Sequence, residues 1–230
     1  MEVVLTLRRG ESVLVTLGIP LLLLIFFSLV DVLPHGGGDA VEFLAPGVLA
    51  LAVMSTAMVS LGIATGFERQ YGVLKRLGST PLGRPALLTA KTASILAVEV
   101  VQAVVIIGAA IALGWRPHVD AGVVAAVAIG TVAFAGLGLL MAGALRAEVT
   151  LAAANGLYLV LLLLGGMVIP LDELPAWLHR VADLLPAGAL AEAVTGSTTA
   201  GASVPGRAWL VLIVWAAAAP AAAAATFSWE

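Results

Sequence analysis

Six apolar stretches alternate with short polar connectors along the 230 residues: 13–33, 43–66, 92–113, 122–145, 149–169 and 208–226. Each holds about 20 residues, the number an α-helix needs to cross ~30 Å of hydrocarbon, so the pattern predicts six spanning helices. Ahead of the first, Met1 to Glu11 sets Val3, Val4, Leu5 and Leu7 beside Arg8 and Arg9 and predicts an interfacial helix over 1–11. A signal peptide would have a shorter apolar core and a small-residue cleavage site, whereas this run continues to Asp31-Val32-Leu33-Pro34. Gly18 and Pro20 are expected to bend the first span, and Pro220 to kink the last. Gly62 and Gly66 make a small-xxx-small pair that allows close helix packing.

Two longer polar stretches break the alternation. In 67–85, Phe67, Tyr71, Leu74 and Leu77 recur at helical spacing while Glu68, Arg69, Lys75 and Arg76 lie largely on the other side, which describes a short amphipathic helix at a membrane surface. Gly78 supplies a stop, Thr80 and Pro81 a new start, and Pro85 opens the helix that becomes the third span, with Lys91 snorkelling at its base. In 170–200, Pro175 suits a first helical turn, and Trp177, Leu178, Val181 and Leu185 form one apolar face before Pro186 interrupts. A second short helix, about Ala187 to Val194, ends at Gly196. Two helices too short to cross predict a re-entrant or interfacial hairpin buried against protein.

Composition agrees with the pattern. The chain is 61% hydrophobic and 11% charged with a mean hydropathy of +1.11, against about 25% charged in soluble domains, and six spans leave no room for a soluble domain of ordinary size. The net charge of −3 and basic residues confined to helix ends exclude nucleic acid as a partner. Cysteine is absent, which excludes disulfides, thiol catalysis and Cys-based metal sites. With six spans both termini share one side. That side collects Arg8, Arg9, Arg69, Lys75, Arg76, Arg84, Lys91 and Arg146; the other has Arg116, Arg180 and Arg207. The bias places the termini and the 67–85 loop in the cytoplasm.

Catalytic patterns are missing. A phosphate-cradling loop needs glycines ending in Gly-Lys-Ser/Thr, and Lys91-Thr92 follows Ala90 instead, so the chain is not expected to bind ATP itself. There is no Gly-x-Ser-x-Gly, and His35, His118 and His179 are scattered among connectors with no metal-ligand spacing. Glu99 is the one ionisable group deep in a span, with Gln102 on the same helix face. It reads either as a proton relay or cation contact, or as a structural contact satisfied by Gln102, a neighbouring helix or water. Asn155 in the fifth span reads equally as a substrate contact or as glue between helices.

The run from Glu68 through Gly72, Leu74-Lys75-Arg76-Leu77 and Thr80-Pro81-Leu82 to Arg84 resembles the cytoplasmic loop of type-2 ATP-binding-cassette exporter permeases. The stretch Gly165-Gly166, Pro170, Asp172-Glu173, Leu174-Pro175, Trp177, Pro186 resembles their external re-entrant helices, at the matching topological position. Gln70 stands where that family often has a second Glu. The resemblance implies an all-α integral membrane fold: six transmembrane helices with an N-terminal interfacial helix, a cytoplasmic coupling helix and an external re-entrant hairpin. It implies a coupling role for Glu68, Arg69, Tyr71, Gly72, Leu74, Lys75, Arg76, Leu77, Thr80, Pro81 and Leu82, which dock on the ATPase. It also implies two cytoplasmic ATPase subunits that hold ATP and Mg, a second permease copy in a homodimer, and a bacterial plasma membrane location. The second and fifth spans of both protomers would line a path for a drug, natural product or lipid, to which Met54, Met58, Asn155 and Tyr158 are assigned. Readings from other classes are a proton-driven secondary transporter using Glu99 and a non-transporting membrane scaffold.

Overall fold

The computed structural model describes residues 10–30, 40–78, 83–167 and 175–226, with the side chains of all but 10–16, 77–78 and 84–85. Regular structure among the described residues is entirely helical: α1 Gly10–Leu29, α2 Ala40–Gln70, α3 Val73–Gly78, α4 Arg84–Ala112, α5 Ala121–Ala144, α6 Ala147–Leu164, α7 Ala176–Ala182, α8 Pro186–Thr198 and α9 Gly206–Thr226. Five of these, α2, α4, α5, α6 and α9, are long and apolar enough to cross a membrane, and α1 contains a shorter apolar helix, Leu17–Leu29. The protein is an all-α integral membrane protein. The expected interfacial helix 1–11 lies outside the described residues except at its last two positions, which begin α1.

Two helices form the centre. In α2, 72% of the apolar window is buried, and in α5 56%, against 28%, 22% and 28% in α4, α6 and α9. The outer helices turn Leu22, Phe26, Val104, Leu159 and Leu210 outwards, each more than half exposed, as helices solvated by acyl chains do. Small residues let the inner backbones approach. A Cβ on Gly62 would stand 3.0 Å from the Gly138 carbonyl oxygen, and one on Gly66 3.5 Å from Ala147 and Thr150, so the small-xxx-small pair seats α2 against α5 and α6. The most extensive packing joins α5 to α9, where Gly136 lies under the ring of Pro220.

Helix ends follow local chemistry, and several differ from the sequence expectation. The second span does not stop at Gly66; α2 continues to Gln70 because nothing in Phe67–Gln70 breaks a helix, and the turn comes at Gly72, whose φ of +71° falls in the left-handed region that glycine occupies without strain. The fifth span ends at Leu164 rather than 169, where Gly165 and Gly166, the latter with φ +68°, fold the chain back and bury Met167 against Gly47. Pro20 and Pro220 both lie inside unbroken helices. α2 also carries a π-helical turn, Ser55–Ser60, for which the sequence gives no signal.

At the end of the bundle bearing 170–200, Pro186 does not end a helix; it opens α8, which runs through Gly196 to Thr198. The backbone N–H of His118 donates to Thr198 at 2.9 Å, and Asp120 caps α5 by accepting from the Gly122 N–H at 2.7 Å. Arg207 at the base of α9 bonds Glu192 of α8 at 2.9 Å and Asp183, just after α7. The hairpin is half buried against protein, not wholly as expected: Ala187, Leu190 and Val194 of α8 are sealed, whereas Trp177 and Val181 of α7 and Leu184 just after it are 67%, 44% and 68% exposed. The reason is that α8 packs against α2, α5 and α9, whereas α7 packs only lightly, against α6.

Candidate functional site

The coupling stretch folds as the last turn of α2, one glycine turn and α3. Leu74 is fully buried and anchors α3, while Tyr71 is 71% exposed and Lys75 and Arg76 are exposed on the opposite side. Phe67 and Tyr71 stack with ring centroids 6.0 Å apart across the turn. Leu77 lies in α3; Thr80, Pro81 and Leu82 lie outside the described residues.

Three consecutive residues at the end of α2 bond to three other helices. Glu68 pairs with Lys91 of α4 at 2.5 Å, and Lys91 is only 7% exposed. The Arg69 guanidinium donates to the Ala142 and Leu145 carbonyls at 2.9 Å each and to that of Gly143, closing the C-terminus of α5. Gln70 Nε2 donates to Glu148 Oε1 in the first turn of α6 at 2.7 Å. A helix leaves its last four carbonyls without intrahelical donors and its C-terminus partly negative, so a guanidinium there meets both needs. Arg69, expected on the docking surface, is therefore turned into the bundle. Only its position was legible; the carbonyls it meets carry no sequence signal.

Inside the bundle Glu99 is 3% exposed and Gln102 3% exposed. Glu99 Oε2 accepts from the Thr131 hydroxyl of α5, and the Thr56 hydroxyl in the π-turn of α2 donates to Gln102 Oε1 at 3.0 Å. The cluster thus joins α2, α4 and α5. Thr56 and Thr131 were missed because a lone threonine in an apolar run has no motif; a buried glutamate and glutamine on one face was the available hint that partners must exist.

Of the four residues assigned to a substrate path, two lie together. Asn155 and Tyr158 of α6 face a cleft of about 410 Å³ that is closed by Ile19 and Leu23 of α1 and by Ser55 and Ser60 of α2. Its described lining holds no charged side chain. Asn155 Nδ2 donates to the Leu151 carbonyl at 2.8 Å. Met54 and Met58 are fully buried, and the Met58 carbonyl meets Gly138 of α5. In the hairpin, Pro175 precedes α7 as its cap, Trp177 is exposed, Pro186 is buried at the start of α8, and Pro170 lies outside the described residues. Among the described residues no three His, Asp or Glu side chains group as metal ligands.

No curated protein matches the chain. The family model for the ABC-2 type transporter matches residues 2–198, which takes in the coupling stretch, the polar cluster, the cleft and the hairpin through α8. The chain belongs to the ABC-2 type transporter family, whose membrane subunits work with ABC ATPases, and is a membrane-spanning permease of an ABC transporter.

Proposed function

We propose that the protein is the permease half of an exporter in a bacterial plasma membrane, with both termini and α3 in the cytoplasm. Two copies form a homodimer and two ATPase subunits, which hold ATP and Mg, dock on α3. The cargo is a neutral amphipathic or hydrophobic molecule: a drug, natural product or lipid. The observation that carries this reading is the two-sided α3, buried through Leu74 and exposing Lys75 and Arg76, with Tyr71 exposed in the turn that leads into it. The uncharged cleft between α1, α2 and α6 supports the cargo class, because its polar groups, Ser55, Ser60, Asn155 and Tyr158, are all neutral hydrogen-bonding groups.

A proton-driven carrier is the competing reading, and Glu99 is its necessary residue. Glu99 is sealed between α4 and α5 and hydrogen-bonded to Thr131, which favours a structural contact over a relay. The test is reconstitution in proteoliposomes with the partner ATPase and a lipophilic dye as cargo. We expect uptake that requires hydrolysable ATP, and Glu99→Gln, which keeps hydrogen-bonding capacity, should transport at close to the wild-type rate. Uptake driven by a pH gradient without nucleotide, and lost in Glu99→Gln, would establish the competing reading instead.

A further inference from the structure

We infer that Arg69 is a positioning residue that carries motion of the coupling element into the inner ends of α5 and α6, and is not a docking group for the ATPase. The inference rests on α3 being the docking element, as proposed above.

The geometry is specific. The chain passes from α2 to α3 through two residues, with the Gly72 N–H donating to the Arg69 carbonyl at 3.0 Å and the Arg76 N–H to the Gly72 carbonyl at 3.2 Å. A push on α3 therefore reaches the turn of α2 that bears Glu68, Arg69 and Gln70. Of the three ties made there, that of Glu68 goes to α4, and its side chain is 37% exposed; that of Gln70 to Glu148 is exposed. Arg69 makes the most bonds, because two guanidinium nitrogens reach three carbonyls at a helix terminus, each bond assisted by its charge. The last of those carbonyls belongs to Leu145, an extended residue (φ −111°, ψ 159°) where the chain leaves α5 for α6. Residue 146 then caps α6. Arg69 thus grips the joint between two spans, one of which, α6, walls the cleft through Asn155 and Tyr158. Movement at α3 has a short covalent and hydrogen-bonded route to that wall. A lysine would keep the charge beside the α5 terminus but lose the planar fork that spans three acceptors.

The experiment uses the permease–ATPase complex in proteoliposomes and reads three quantities for wild type, Arg69→Gln and Arg69→Lys: association of the subunits, ATP hydrolysed, and dye transported. Arg69→Gln is expected to keep association and basal hydrolysis while transport per ATP falls about tenfold, a loss within the range for coupling between linked sites. Arg69→Lys is expected to fall between the two. Loss of association with an unchanged ratio in the remaining complex would make Arg69 a docking group, and a lowered unfolding temperature with an unchanged ratio would make it only a cap; either overturns the inference. Should Arg69→Gln not fold, Gln70→Ala, which severs the exposed tie to α6, is expected to lower the same ratio by a smaller factor, and an unchanged ratio there overturns it as well. A wild-type complex without ATP-driven transport would instead sink the functional reading on which the inference stands.

Discussion

Gly136→Ala is expected to remove most of the folded protein. A Cβ there would lie 2.5 Å from the Pro220 nitrogen, 2.6 Å from its Cδ and 2.8 Å from the Ala219 carbonyl carbon. None of these atoms is the end of a flexible side chain, so α5 and α9 must separate. Alanine gains about 1 kcal/mol over glycine in helix propensity, but overpacking that moves two backbones costs about 3 kcal/mol or more. The controls are Gly108→Ala and Gly156→Ala, where the new methyl meets nothing within 4 Å; these are expected to be neutral or slightly stabilising. Unfolding temperature and the monodisperse fraction after extraction in mild detergent measure all three. Equal values for Gly136→Ala and the controls would show that the α5–α9 seam is looser than described.

Reversing the exposed charges of α3, by Lys75→Glu together with Arg76→Glu, is expected to weaken ATPase association by at least about a hundredfold at low salt, since like-charge juxtaposition at an interface costs several kcal/mol. The permease itself should stay folded, because Leu74, which holds α3 to the bundle, is untouched. Raising the salt should narrow the difference between variant and wild type as the charges are screened. Association that is the same for both proteins at every salt concentration would move the docking surface elsewhere. Read beside Arg69→Gln, the pair separates contact from transmission: the reversal breaks the joint between subunits, whereas the arginine change leaves it intact and slackens what lies behind it.

Much of the architecture was legible because lipid imposes a coarse rule. A helix must supply about 20 apolar residues to cross, and the expected fourth span 122–145 and last span 208–226 differ from α5 and α9 by no more than two residues at either end. Boundaries failed where a polar surface helix continues a span, as at Phe67–Gln70, and where paired glycines end one early, as at Gly165 and Gly166. In both places hydropathy changes at a different residue from the backbone. The coupling stretch was legible as an amphipathic unit because Leu74 is set against Lys75 and Arg76. The inward turn of Arg69 was not, because its acceptors are main-chain carbonyls more than seventy positions away. Met54 and Met58 were assigned to a path from their span alone, and both are fully buried; the approach of the Met58 carbonyl to Gly138 and the π-turn beside it have no signal in a single helix.

The side of the membrane on which α3 lies can be read with one thiol. The chain has no cysteine, so Tyr71→Cys, at a position 71% exposed, would carry the sole reactive group. In cells producing the permease with its ATPase, a membrane-impermeant maleimide should label this cysteine only after permeabilisation, and bound ATPase should shield it from the reagent. Labelling in intact cells, or labelling that the ATPase does not change, would contradict the account.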